Sequence, residues 1–187
     1  GEYECVAVLV GDKLNKNATT QLKIAKSAGL KVIKANEIDE NTASWISEAL
    51  KGSVCVIDGI FGAGFKGELR AKITTLIASL NEAILANPLA LALSVDMPSG
   101  LDISGTPSPL AFRANTTITM GAAKLGLFHD LAKDYVGELI CADLGLCEGL
   151  YTSGFSSDFL LEMSDMRLPS RNTQNVNKGD FGHAFVA

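Results

Sequence analysis

Two carboxylates in this 187-residue sequence each stand directly after a short apolar run: Asp58 closes Val54-Cys55-Val56-Ile57, and Asp96 follows Leu89 to Val95. In open parallel α/β sheets, ligands bind outside the carboxyl ends of the strands, near a reversal of strand order. If the two runs are neighbouring strands, both acids face one crevice. Aspartate also ends strands because it favours turns. The loops that follow these two are unusual enough to favour chemistry over punctuation.

After Asp58 comes Gly59-Ile60-Phe61-Gly62-Ala63-Gly64-Phe65-Lys66-Gly67, in which Gly62, Gly64 and Gly67 match the spacing Gly-x-Gly-x-x-Gly. Glycines so placed let backbone N–H groups approach a phosphate, helped by a following helix N-terminus. Lys66 could add a point charge, whereas Glu68, read as opening the helix, would compete with an anion. A dinucleotide-fold fingerprint would follow a first strand and carry an acid about 20 residues later. This loop follows a third strand, so an ordinary Rossmann dehydrogenase fits poorly.

Asp96-Met97-Pro98-Ser99-Gly100-Leu101-Asp102 is the more informative stretch. Pro98 fixes a turn, Gly100 permits a conformation closed to other residues, and Asp96 and Ser99 present oxygens close together. Such oxygens suit a hard cation or ribose hydroxyls; a soft metal would want Cys or His. No histidine accompanies Ser99 in the motif, so a Ser-His-Asp hydrolase has little support.

The elements that must hold these residues read as alternating strands and helices. Cys5 to Val10, Leu30 to Ile33, Val54 to Asp58 and Leu89 to Val95 are short continuous apolar runs, the mark of strands covered on both faces. Two more strands are expected near Thr116–Met120 and Gly137–Ala142. Helices are expected over Asn17–Ala28, Thr42–Leu50 and Glu68 to about Ala86, the last with Leu69, Ile73, Leu76, Ile77, Leu80 and Ile84 in one stripe. That order makes the chain α/β, a parallel sheet between helices.

Composition agrees. Hydrophobic residues are 47% and charged residues 20%, as in globular proteins and unlike disordered ones. A net charge of −5 argues against nucleic acid as a partner, because phosphate-backbone binding needs a dense basic face. Four cysteines without a Cys-x-x-Cys pair and only two histidines disfavour structural zinc. Cys55, inside an apolar run, reads as a buried reduced thiol and suits a reducing cytoplasm. No apolar stretch approaches the ~20 residues that span a bilayer, so no membrane partner is expected.

Ile57-Asp58-Gly59-Ile60-Phe61-Gly62-Ala63-Gly64-Phe65-Lys66-Gly67-Glu68, Ser94-Val95-Asp96-Met97-Pro98-Ser99-Gly100-Leu101-Asp102 and Gly121-Ala122-Ala123-Lys124-Leu125-Gly126-Leu127 together resemble the NAD(P)H-hydrate epimerases of the YjeF N-terminal domain family. The resemblance runs from about Cys5 to Leu146. It implies a Rossmann-like three-layer sandwich that epimerises C6 of hydrated NADH and NADPH (NADHX and NADPHX). By position, it makes Asp58 and Ser99 ligands of one potassium ion. It also places Gly62, Ala63, Gly64, Phe65, Lys66, Gly67, Glu68 and Asp96 against the hydrated dinucleotide. A carboxylate at a strand end can act as a general base, which makes Asp96 the candidate for proton transfer. Lys124 reads either as part of the crevice wall or as a solvated lysine. Dimerisation is common in the family, so the resemblance implies a homodimer or larger homo-oligomer.

Residues 1–150 are thus expected to be the epimerase domain and residues 151–177 a linker. Residues 178–187 resemble the opening of a ribokinase-like NAD(P)H-hydrate dehydratase domain, which would use ADP or ATP. The family's glycine-rich loop, with consecutive asparagines and Gly-Asp, should precede the strand at Cys5 and is absent. The domain is therefore read as truncated at its N-terminus, without one potassium ligand and a central strand. The competing function is a non-catalytic scaffold of the same fold, since fold does not fix function. Retention of Asp58, Asp96 and Ser99 favours the enzyme. A generic nucleotide-binding domain is a third reading.

Overall fold

The computed structural model describes residues 4–11, 14–34, 42–50, 52 and 55–147, and scattered positions between 149 and 181. Contacts divide the chain into Gly1–Leu146 and Cys147–Ala187. Among its described residues the first unit carries six strands: β1 (Val6–Leu9), β2 (Lys31–Lys34), β3 (Cys55–Asp58), β4 (Leu91–Val95), β5 (Thr116–Met120) and β6 (Glu138–Ala142). Its helices are α1 (Lys16–Ser27), α2 (Thr42–Leu50), α3 (Ala71–Ala86) and the single-turn α4 (Lys133–Val136).

Among the described residues every strand-to-strand pairing is parallel, in two sheets with the orders β1-β2 and β3-β4-β5-β6. The α/β, Rossmann-like expectation holds. Helix α1 starts where Asn15 caps it, the side-chain Oδ1 accepting from Ala18 N at 2.8 Å. Helix α3 begins at Ala71 with Arg70 as its N-cap, later than the apolar stripe suggested. Glu68 therefore does not open the helix. The glycine loop is separated from the helix N-terminus by Glu68, Leu69 and Arg70.

One face of the larger sheet is dry. Ala92 and Ser94 of β4 and Thr117 and Thr119 of β5 are fully buried. Ile46 and Leu50 of α2 join Leu76, Ile77 and Ile84 of α3 in one cluster with Ala92 and Phe112. Val10, just beyond β1, packs against the same cluster. The opposite face is open: Ile57 is 67% exposed, Ile140 45% and Leu91 42%. The apolar runs had promised strands covered on both sides, and among the described residues that is true of one side only. Cys55 shares the open face with Ile57, two residues along a period-two strand, and is exposed rather than buried.

Between β4 and β5 the chain runs through residues 96–115 without a helix. That segment is pinned from both sides. Asn81 of α3 donates to Ala111 O at 2.9 Å and accepts from Arg113 N at 2.9 Å. Phe112 N donates to Ser99 O at 2.9 Å, and Ser108 N to Gly100 O at 2.9 Å. Met97, Leu101, Ala111, Leu127, Ala132 and Val136 form a second apolar cluster. A loop so tied holds its polar side chains still.

In the second unit the described residues show turns at Met163–Asp165 and Lys178–Phe181. Most of the linker and the apolar run Ala184-Phe185-Val186 lie outside the described residues. No helix among the described residues is long and apolar enough to cross a membrane.

Candidate active site

Strands β3 and β4 are neighbours, with Asp58 in register with Ser94, so the two singled-out acids do stand at adjacent carboxyl ends. They do not share one environment. Asp58 is buried, and four donors converge on its carboxylate. Oδ1 accepts from Ser99 Oγ at 2.6 Å and Ile60 N at 3.2 Å. Oδ2 accepts from Ser99 N at 2.7 Å and Ser94 Oγ at 3.2 Å. Burial pushes its pKa up, against the pull of those hydrogen bonds. Ser99 is fully buried, and its hydroxyl also accepts from Phe61 N at 2.9 Å and lies 3.4 Å from Phe61 O. The hydroxyl faces Asp58 rather than Asp96.

Gly100 makes this geometry possible. Its φ is 100°, and a Cβ there would come within 2.4 Å of Leu110 O. Neither the backbone angle nor the space admits a side chain.

Asp96 has a φ of 72°, the left-handed region that aspartate tolerates better than most residues. Its carboxylate joins two loops. Oδ2 accepts from Ala63 N in the glycine loop at 3.0 Å. Oδ1 accepts from Met120 N at 3.3 Å and from Lys124 Nζ at 2.5 Å. The side chain remains 22% exposed, so a ligand can reach it. Burial raises its pKa, but the Lys124 ammonium together with the Ala63 and Met120 N–H groups outweighs that and holds the carboxyl below the usual carboxylate range.

The glycine loop is built around this carboxylate. A Cβ on Gly62 would sit 2.9 Å from Asp96 Oδ2, closer than side-chain carbons approach. Phe65 N donates to Gly62 O at 3.0 Å to close the turn. The Phe65 ring is buried with its centroid 4.9 Å from that of Phe61, so this side chain belongs to the core. The N–H groups of Gly64, Lys66 and Gly67 have no partner among the described residues, and Lys66, Gly67 and Glu68 are exposed. Glu68 and Leu69 border an open depression with Thr74, Pro107, Ser108 and Pro109.

Replacing Gly62 with Ala should therefore displace Asp96 rather than unfold the chain. We expect a fall in activity of about 10-fold or more, as for a mispositioned catalytic group, with thermal stability changed by less than about 1 kcal/mol. Paired kinetics and thermal melts check this.

The profile of the family described as YjeF-related protein N-terminus matches residues 1–126. The chain belongs to the YjeF N-terminal family. A protein of Helicobacter pylori called bifunctional NAD(P)H-hydrate repair enzyme Nnr is 42% identical over 176 residues, covering 93% of this chain and 34% of that one. A protein of the same name in Coxiella burnetii is 38% identical over 139 residues, covering 73% of this chain and 27% of its own. An Oenococcus oeni protein called NAD(P)H-hydrate epimerase is 30% identical over 143 residues, covering 75% and 60%. The chain thus spans 34% and 27% of the length of the two repair enzymes.

The YjeF motifs named the acids and the loop in advance. They did not single out Ser94 or Thr119, and left Lys124 between a crevice wall and a solvated surface. Ser94 had one signal, a hydroxyl interrupting Leu-Ala-Leu-Ser-Val. Lys124 shows its role only when the turn after β5 folds back toward Asp96.

Proposed function

We propose that this YjeF N-terminal domain epimerises NAD(P)H-hydrate at C6 of the damaged nicotinamide ring, accepting both NADHX and NADPHX. The observation that carries the reading is the ionised, partly open carboxylate of Asp96, held at a strand end beside a loop with free backbone N–H groups. The repair-enzyme and epimerase names of the relatives support it. Epimerisation leaves atoms and charge unchanged, so a proton taken at the reacting centre is returned in the same turnover. The Asp96 carboxylate, held ionised by Lys124 and the Ala63 and Met120 N–H groups, is free to take up that proton, and its depressed pKa favours giving it back. The N–H groups of Gly64, Lys66 and Gly67 supply donors for the dinucleotide's phosphates regardless of the chain's net charge.

Potassium fits the second cluster. Asp58, Ser99 and the Phe61 carbonyl are all hard oxygen donors. The Ser99 proton can turn from Asp58 toward Phe61 O, 3.4 Å away, which exposes a lone pair on both side chains. Asp58 and Ser99 would hold the ion, whose charge would offset a buried carboxylate and steady the turn at Phe61. Exchanging potassium for lithium should lower epimerase activity about 10-fold or more, since loss of an oriented group costs that much. Equal rates in the two salts would remove the ion from the site. In a longer parent chain, residues 178–187 would open an ADP- or ATP-dependent dehydratase. A cytoplasmic homo-oligomer fits the same reading.

The test is to supply one purified NADHX epimer and follow the other by chromatography. Appearance above the spontaneous rate supports the reading, and its absence with the folded full-length protein refutes it.

A further inference from the structure

We propose that Lys124 is the positioning residue of this site, its ammonium fixing the Asp96 carboxylate in the orientation that also engages the glycine loop. This rests on the epimerase reading for its kinetic consequence but not for its geometry. An ammonium has three donors. All three are spent inside the protein: on Asp96 Oδ1 at 2.5 Å, Thr119 Oγ1 at 2.9 Å and Met120 O at 2.8 Å. None is left for a phosphate or a ribose hydroxyl, which separates Lys124 from the usual ligand-binding lysine.

The support behind it is rigid. Thr119 is fully buried in β5, and its hydroxyl accepts from Lys124 while facing Ala122 O at 3.5 Å. Met120 ends the same strand. The Lys124 side chain is 18% exposed, so the pair is shielded more than a surface salt bridge. Asp96 meanwhile sits at φ 72° with no helix or strand of its own to orient it. Two anchors define its carboxylate plane: the lysine with Met120 N on one oxygen, and Ala63 N on the other. Removing the stronger anchor frees the side chain to rotate away from Ala63.

The experiment uses the full-length natural protein and compares Lys124→Met, Lys124→Ala and Thr119→Val with the wild type. Two readouts are taken: epimerisation kinetics, and the amide resonance of Ala63 by NMR. For Lys124→Met we expect kcat to fall about 100-fold with KM changed less than about 3-fold, the pattern of a lost orienting charge. Adding ethylammonium to Lys124→Ala should restore at least about 10-fold of that loss, because a soluble cation can enter the vacated space, which a purely structural lesion would not permit. Thr119→Val should fall between the wild type and Lys124→Met. The Ala63 amide should move in the Lys124 variants as its acceptor swings away. Should Lys124→Met fail to fold, Lys124→Gln carries the same comparison. Unchanged kcat, or an unmoved Ala63 amide, overturns the proposal. If the wild type itself shows no epimerisation, the functional reading fails, and the Ala63 amide still decides whether Lys124 positions Asp96.

Discussion

Replacing Asp96 with Asn is expected to lower epimerase kcat by about a thousandfold, the range for removal of a positioned acid–base group. The change keeps the side chain's size, so the glycine loop and the turn after β5 stay folded. It removes the charge that Lys124 faces at 2.5 Å, and an amide oxygen cannot accept and return a proton at neutral pH. KM should move far less than kcat, because the proposed phosphate donors are the N–H groups of Gly64, Lys66 and Gly67 rather than Asp96. Measured steady-state rates within about tenfold of wild type would take the proton-transfer role away from Asp96.

The pH dependence of the wild type follows from the same contacts. Burial raises the Asp96 pKa, but Lys124 and the N–H groups of Ala63 and Met120 lower it by more, for a net depression. A carboxyl depressed on folding stabilises the protein above its unfolded pKa, and that contribution disappears as pH falls through the folded value. Activity carried by the ionised form should hold to a pH below the ordinary carboxylate range before it fails. Lys124→Met should shift that acid limb upward.

The second large effect is on stability. Asp58→Ala would strand Ser99 N, Ser99 Oγ, Ser94 Oγ and Ile60 N, which converge on one buried carboxylate. Unpaired buried donors cost about 1–3 kcal/mol each, and the raised pKa of Asp58 shows that part of this is already offset by the expense of burying a charge. A net loss of about 3 kcal/mol is expected in denaturant titrations. Ser94→Ala, which removes one 3.2 Å bond, should cost about 1 kcal/mol. Equal and small losses for both would mean that water replaces the carboxylate without penalty.

What the sequence disclosed follows from how local each feature is. The strand expected near Thr116–Met120 and the helix at Thr42–Leu50 were legible, because each is a short segment set off by its flanking residues. The start of α3 was missed because Leu69 continues the apolar stripe although it is buried from an extended segment rather than from the helix. Cys55 and Ile57 look like core in a one-dimensional reading, since an apolar run carries no sign of which face is covered. The acids were visible as strand ends. Their separation was not: Asp58 turns inward to Ser99 while Asp96 stays open, and that depends on the Gly100 and Asp96 backbone angles. Lys124 was the hardest residue to place, 28 positions from the carboxylate it holds.

The central claim is tested most directly by incubating the folded full-length protein with pure (R)-NADHX in potassium buffer and measuring the appearance of (S)-NADHX. The account predicts enzyme-dependent approach to the epimer equilibrium, abolished by Asp96→Asn. A rate equal to that of buffer alone, from protein that is folded and binds no dinucleotide, would contradict it and leave a scaffold of the same fold.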